Sequence, residues 1–220
     1  MQSTAQTRLS HLTKSLQQPP NFHSALLSLQ SCFPSSQLTL DSPTLKRFGT
    51  SWGSYSPPLP PSIIVHALCT EDVVKVVKIA SAEGIVVIPV AGRTSLEGQF
   101  LPPPSHSSLN TPPPCCPSSQ NPYVKIIPLP TGHPVLPEAS STRPTIHLDM
   151  SRMDKILAIH PLDFQAVVEP GVGWQSLNEH LVEEGHGLFF PIDPAPGALF
   201  GGMVGVGGSG TNAGQSSRAL

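Results

Sequence analysis

Proline placement constrains this chain more than any other feature of its sequence. Thirteen of its 27 prolines fall within residues 102–144. Runs such as Pro102-Pro103-Pro104 and Pro112-Pro113-Pro114 lack backbone donors and favour polyproline II, so they cannot lie inside a helix or a sheet. Only three charged residues, Lys125, Glu138 and Arg143, occur between positions 98 and 148. The segment therefore reads as an inserted loop, with Tyr123–Leu129 alone apolar enough for an edge strand. Regular structure has to be built on either side of it.

Before the insertion, Ile63-Ile64-Val65 is a β-branched run. Thr70 is placed to cap a helix whose first turn carries Glu71 and Asp72, acids that suit the helix dipole. Val73, Val76, Val77 and Ala80 recur at helical spacing, and Gly84 supplies a stop. Ile85–Val90 then reads as a strand covered on both faces, which completes a βαβ unit. After the insertion, Thr145–Asp149 precedes an antiparallel hairpin of Lys155–Ile159 and Phe164–Glu169. Its second strand sets Phe164, Ala166 and Val168 on one face. Trp174–Glu184 reads as a helix with Leu177 and Leu181 on one side, and Leu188–Phe190 begins a further strand. The pattern is that of an α/β (α+β) chain.

Charge excludes some partners. Charged residues make up 12% of the 220, against about 25% in ordinary soluble domains, and the net charge is −2. Lysine and arginine (12) fall below aspartate and glutamate (14), so no nucleic-acid partner is expected. No run approaches the roughly 18–20 apolar residues of a membrane span. Cys115 and Cys116 are adjacent and no C-x-x-C occurs, so neither a disulfide framework nor a zinc site is encoded, and a reducing compartment is expected. The first 40 residues hold no acid, with Arg8 and Lys14 their firm positive charges. This suits a mitochondrial transit segment or a poorly ordered extension, with a short helix on Leu9, Leu12 and Leu16, and both readings stay open.

Two segments follow strands and combine glycine with hydroxyls. The first is Pro89-Val90-Ala91-Gly92-Arg93-Thr94-Ser95, where a tight turn can present successive backbone N–H groups as an anion nest. A plain surface turn is the alternative. The second runs from Pro191, through Asp193 and Pro194, to the glycine-dense stretch Gly201-Gly202-Met203 and Gly208-Ser209, then Asn212. Eight of the 18 glycines lie in residues 197–214, which lets backbone approach a flat ligand, while Met203, Val204 and Val206 argue against a mere linker. Neither G-x-G-x-x-G nor a Walker loop is present. His180, Glu184 and His186 are close enough to suggest a metal, but a solvated helix end is the expected reading, and no metal site is assigned. Asp149 and Asp154 flank a turn starting at Ser151 and read as turn caps.

Together these segments resemble the FAD-linked oxidase family with the vanillyl-alcohol-oxidase, or p-cresol-methylhydroxylase (PCMH), type of FAD-binding domain, and within it the cytochrome-linked D-lactate dehydrogenases. The resemblance rests on Thr94-Ser95-Leu96-Glu97-Gly98, Asp149-Met150-Ser151-Arg152-Met153-Asp154-Lys155-Ile156, Glu169-Pro170-Gly171-Val172-Gly173-Trp174, Gly187-Leu188-Phe189-Phe190-Pro191, Gly201-Gly202-Met203-Val204 and Ser209-Gly210-Thr211-Asn212-Ala213. It implies a PCMH-type FAD-binding domain, incomplete at its C-terminus, over residues 56–220. The Pro-rich loop 102–144 interrupts it, and residues 1–55 form a peripheral N-terminal extension. The turn matching Ala91–Ser95 is implied to cradle the FAD pyrophosphate, with Pro170, Gly171, Val172 and the stretch from Pro191 to Asn212 lining the rest. Thr94 stands where covalent members carry a flavin-linking histidine, so noncovalent FAD is expected, held mainly by backbone N–H groups of Ala91–Ser95 and Gly201–Ser209.

The implied reaction is oxidation of a small 2-hydroxy acid, D-lactate foremost, with electrons passed to cytochrome c or another acceptor. A mitochondrial location is implied, with the cytoplasm as the alternative. Gly208 replaces the family's usual cysteine, and Gly214–Leu220 departs from its usual continuation. No catalytic residue is assigned, and turnover by this chain alone is not expected. The alternatives are a non-catalytic flavin-binding product, a D-2-hydroxyglutarate dehydrogenase-like fragment, and a nucleotide-binding module without flavin chemistry.

Overall fold

The computed structural model describes residues 21–51, 53, 58–102, 143–208 and 210. Expectations for residues 1–20, for Tyr123–Leu129 and for the rest of the Pro-rich loop fall outside them. Helix α1 (Phe22–Cys32) is followed by a 3-10 turn at Ser35–Gln37, strand β1 (Leu38–Thr39) and helix α2 (Ser42–Phe48). Then come β2 (Ile63–His66), α3 (Thr70–Glu83), β3 (Val86–Val90) and β4 (Thr145–Asp149). Strands β5 (Ile156–His160) and β6 (Gln165–Val168), helix α4 (Trp174–Glu183) and helix α5 (Phe200–Val206) complete the order.

The first four strands form one sheet in the order β1-β2-β4-β3, with β1 antiparallel to β2 and the other pairs parallel. The expected strand–helix–strand unit is present, but β4 lies between its two strands. That insertion corrects the burial expectation for β3. It is an edge strand among the described residues and only half covered, and Pro89, which has no N–H to donate, is tolerated there. The strands covered throughout are β2 and β4, the latter although three of its five residues are Thr145, His147 and Asp149. A strand paired on both sides has no free backbone edge, and helices and loops cover both of its faces.

Alternation along the strands separates two faces. Ile63, Val65, Ile146 and Leu148 pack with Ala25 and Leu29 of α1 and with Val76 and Ala80 of α3. Ile64 and Val90 on the other face pack with Phe48 of α2, Phe100 and Leu101. The described part of residues 1–55 is therefore not peripheral: α1 supplies core side chains, and β1 extends the sheet through Leu38 and Thr39. Phe22, Ala25, Leu26, Leu29 and Phe33 recur at helical spacing and pack on this core, and that spacing is independent of the stretch's lack of acids.

Caps bind these layers together. Asn21 Oδ1 accepts from Ser24 N–H at 3.2 Å, the Asn21 N–H donates to Glu83 O at 3.2 Å, and the Ser24 hydroxyl donates to Glu83 Oε1 at 2.7 Å. The start of α1 is thus tied to the end of α3. Asn21→Ala is expected to cost about 1 kcal/mol, read as a lower melting temperature; an unchanged melt would remove the cap from the stability argument. At the other end of α3, Cys69 rather than Thr70 is the N-cap and gives no side-chain bond. Asp72 does that work, accepting from Leu68 N–H at 3.2 Å and Gln37 Nε2 at 2.9 Å. Burial raises the Asp72 pKa, yet these donors and Lys75 leave it below its ordinary value. Gly84 ends α3 at φ 66°, as its position in the sequence implied.

The later chain forms the expected hairpin and helix. Ile156 pairs with Val168 and His160 with Gln165. Phe164 is not on the strand face: it occupies the turn at φ 53° and is largely exposed. Val168, Ile156 and Ile159 pack on Val172, Leu177 and Leu181. Leu188–Phe190 is not a strand. Instead the Asn178 side chain accepts from Phe190 N–H at 2.6 Å and donates to its carbonyl at 3.1 Å, replacing the neighbour a strand would need.

Candidate functional site

Parallel strands β2, β4 and β3 end together at His66, Asp149 and Val90, and ligands of parallel sheets bind beyond such carboxyl ends. The turn Ala91–Ser95 leaves β3 at this edge. Met150 N–H donates to Val90 O at 2.8 Å, so the chain after β4 runs beside the turn. Arg93 is left-handed at φ 54°, and its guanidinium carbon lies 4.0 Å from the Phe48 ring centroid. Burial lowers the Arg93 pKa; Asp149 opposes this and Arg47 adds to it.

Gly92 is the closest point of approach. A Cβ there would sit 2.5 Å from Gly197 O and 3.2 Å from Leu199 N. Gly171 is similar, since a Cβ would meet the Ser151, Met150 and Met153 carbonyl oxygens at 2.6–2.7 Å. Around them, Gly171 N–H donates to Met153 O (2.7 Å), Phe200 N–H to Val172 O (2.9 Å) and Gly201 N–H to Pro170 O (2.8 Å). The Gly92 approach to Gly197 joins segments 105 residues apart in sequence, and the three hydrogen bonds join residues 18, 28 and 31 positions apart.

They leave a cleft of about 460 Å³ between the turn and α5, a size suited to a cofactor or drug-sized ligand. Of the residues selected from sequence, Pro89, Val90, Ala91, Gly92, Arg93, Thr94, Ser95, Pro194, Gly201, Gly202, Met203 and Gly208 line it. Gly171 and Val172 line a neighbouring cleft of about 320 Å³. Pro170 lies beneath Gly201, and Pro191 and Asp193 do not line the cleft. Ser209 and Asn212 are outside the described residues.

The expected amide nest over Gly201–Ser209 is not formed in its described part. Residues 200–206 are helical, and the N–H groups of Phe200, Gly201, Met203 and Gly208 already donate to backbone carbonyls. What α5 offers instead is a bare surface: a Cβ built on Gly202 or Gly205 meets no atom within 4 Å, and both glycines line the cleft. A flat ring can lie against such a surface without displacing a side chain.

Sequence reasoning missed a polar network at the sheet edge. His66 Nδ1 lies 2.8 Å from Asp149 Oδ2, and His66 Nε2 lies 3.0 Å from Thr39 Oγ1. Asp149 Oδ1 accepts from Ser151 N–H at 3.0 Å, which is the turn-capping role the sequence suggested. Burial raises the Asp149 pKa, but the bonds from His66 and Ser151 outweigh it and hold the carboxyl below its ordinary value. No spacing rule links Thr39, His66 and Asp149, because three strands contribute one residue each. His180 and His186 both approach Glu184, at 3.6 and 3.0 Å, on a partly exposed helix end.

Residues 119–219 match the FAD binding domain family. The cofactor of that family is FAD. The match begins inside the Pro-rich loop; likeness to solved structures reaches further back. An alkyldihydroxyacetonephosphate synthase aligns over 92% of this chain and 32% of its own, at TM-score 0.64 and 20% identity. p-Cresol methylhydroxylase aligns over 84% and 28%, at TM-score 0.55 and 21% identity. These likenesses establish the PCMH-type α/β fold. Among curated relatives, the mitochondrial D-lactate dehydrogenase [cytochrome] of Kluyveromyces lactis is 36% identical over 70% of this chain and 20% of that protein. The Arabidopsis thaliana protein of the same name is 32% identical over 65% and 18%. This chain thus spans about a fifth of the length of these relatives.

Proposed function

We propose that this chain forms the cofactor-holding part of an FAD-dependent oxidoreductase that oxidises a D-2-hydroxy acid, D-lactate foremost. Electrons would pass to cytochrome c or another acceptor, in mitochondria. The relatives' names support the substrate, acceptor and compartment. The observation that carries the cofactor reading is the bare glycine surface of α5 facing the turn after β3 across one cleft. FAD, when bound, supplies hydride acceptance. The chain's own residues give a backbone turn, Ala91–Ser95, on one wall and the Gly202 and Gly205 surface on the other. Thr94 stands in the turn where covalent members of the resembling family carry a histidine, which supports noncovalent attachment.

The test is to incubate the purified chain with FAD, remove free flavin by gel filtration and read the flavin absorbance. Flavin should travel with the protein and leave it on acid precipitation. Gly202→Leu places a side chain in the cleft and not in the core, so retention should weaken at least about tenfold with the fold intact. Flavin that never travels with the wild-type chain would overturn the cofactor reading, and flavin left in the acid pellet would overturn noncovalent attachment. Anaerobic bleaching by D-lactate at a catalytic rate would show that the chain holds a base within its own 220 residues.

A further inference from the structure

The turn after β3 has a second open side. Opposite the glycine surface lies a cleft of about 540 Å³ whose walls come from β1, α2, the turn and the β4–β5 connection. Arg47, Arg93 and Arg152 line it, with the hydroxyl-bearing Thr39 and Thr44. No carboxylate lies within ion-pair distance of any of these three guanidinium groups among the described residues. The acid that does line the cleft, Asp149, is engaged by His66 and Ser151. Asp41, which caps α2, acts on Arg47 only from a greater distance.

We propose that this arginine-lined cleft is a phosphate-binding site, with Arg47 and Arg152 joining Arg93 as its charged donors. Three guanidinium groups share the cleft with one carboxylate: Asp149 offsets part of the Arg93 charge, but it is already bonded to His66 and Ser151, and Arg47 repels Arg93, so positive charge is in excess. A phosphate or diphosphate relieves that repulsion and accepts from arginine forks in the planar, two-bonded geometry that lysine does not offer. Phe48 stacks on Arg93 and screens it from water on one side, which strengthens its attraction for an anion. The Arg93 Nη1 also donates to the Arg47 carbonyl oxygen at 3.4 Å, which ties the guanidinium to the end of α2.

The phosphate has two possible sources: the diphosphate of the dinucleotide, an arm that rests on the cofactor reading above, or a separate phosphate-bearing molecule. Sequence reading missed this site because Arg47 and Arg152 stand 105 positions apart and the low overall charge argued against charge-based binding.

The experiment measures inorganic pyrophosphate binding to the full chain by calorimetry, with and without saturating FAD. Wild type is expected to bind saturably, and more weakly as salt rises. Arg47→Ala with Arg152→Ala should lose about tenfold in affinity for each arginine removed. Both side chains are exposed, and Arg93 contacts the Arg47 backbone, so the double variant should melt like wild type. Lys78→Ala on the exposed side of α3 removes a charge elsewhere and should bind like wild type.

Pyrophosphate displaced by FAD identifies the dinucleotide as the source, and pyrophosphate bound alongside FAD identifies a separate phosphate; either outcome supports the site. Saturable pyrophosphate binding in a chain that never takes FAD supports the site and removes the cofactor reading. Pyrophosphate affinity unchanged in the folded double variant, or no saturable binding by wild type, overturns the proposal whether or not FAD binds.

Discussion

A Gly92→Val variant is expected to lose about 3 kcal/mol of stability and both clefts together. The first branch of the new side chain would begin 2.5 Å from Gly197 O, with Leu199 N at 3.2 Å and Ala198 Cα at 3.4 Å. All three neighbours are backbone, so no rotamer change can relieve the contact. Either the turn after β3 or the chain before α5 must move, and overpacking of this kind costs roughly 1–3 kcal/mol. Gly92 and Gly197 line the arginine cleft, and Gly92 also lines the glycine cleft, so their separation opens both. Thermal melts should show the lost stability, and neither flavin nor pyrophosphate should be retained. Gly202→Ala is the matched contrast. Its Cβ meets nothing within 4 Å, and alanine favours a helix over glycine by about 1 kcal/mol, so that variant should melt no lower than wild type. If Gly92→Val melts like wild type, the close approach is not what holds the turn against α5.

This pair of glycines also shows what a sequence can and cannot convey. Glycine density in 197–214 and the turn after Ile85–Val90 were visible as unusual, and both segments meet at one cleft. Which property of glycine each position uses was not visible. Gly92 is required for a close backbone approach, whereas Gly202 leaves a surface bare, and the amides of α5 are not the nest that composition suggested. Local patterns carried the helices α3 and α4 and the hairpin, because their determinants lie within a few residues of one another. The place of β4 between β2 and β3 was not legible, since strand order depends on a connection that spans the Pro-rich loop. The same holds for Thr39, His66 and Asp149, and for Arg47 with Arg152. Each set is assembled by strand pairing and not by spacing, and the sheet edge that gathers them exists only in three dimensions.

Burial of His147 at the centre of that sheet should give the protein an acid-sensitive stability between pH 6.5 and 4. The side chain is 0% exposed on β4, with Phe48 6.4 Å away, and neither ring nitrogen meets a partner at hydrogen-bond geometry among the described residues. Burial, then the Arg93 charge, lowers its pKa from 6.5 to about 4, although the Phe100 backbone and Asp149 act in the opposite direction. Above pH 6.5 the ring is neutral in both folded and unfolded chains and has no pH-linked effect. As pH falls below 6.5 the unfolded chain takes up a proton that the folded chain refuses, so stability drops by up to 1.36 kcal/mol per unit. Near pH 4 the folded chain is protonated too and the decline levels off, for a total of about 3 kcal/mol. Asp72 and Asp149, whose folded pKa values lie below 3.8, lose their contributions only at lower pH, so the two windows are separable. Urea melts of wild type and His147→Leu from pH 4 to 8 measure the difference directly. Leucine leaves no orphaned polar atom, so the variant should match or exceed wild type at pH 7 and gain about 3 kcal/mol over it by pH 4. Parallel curves for the two proteins would mean that the imidazole finds a partner or water in the folded chain, and that another group sets the acid limb.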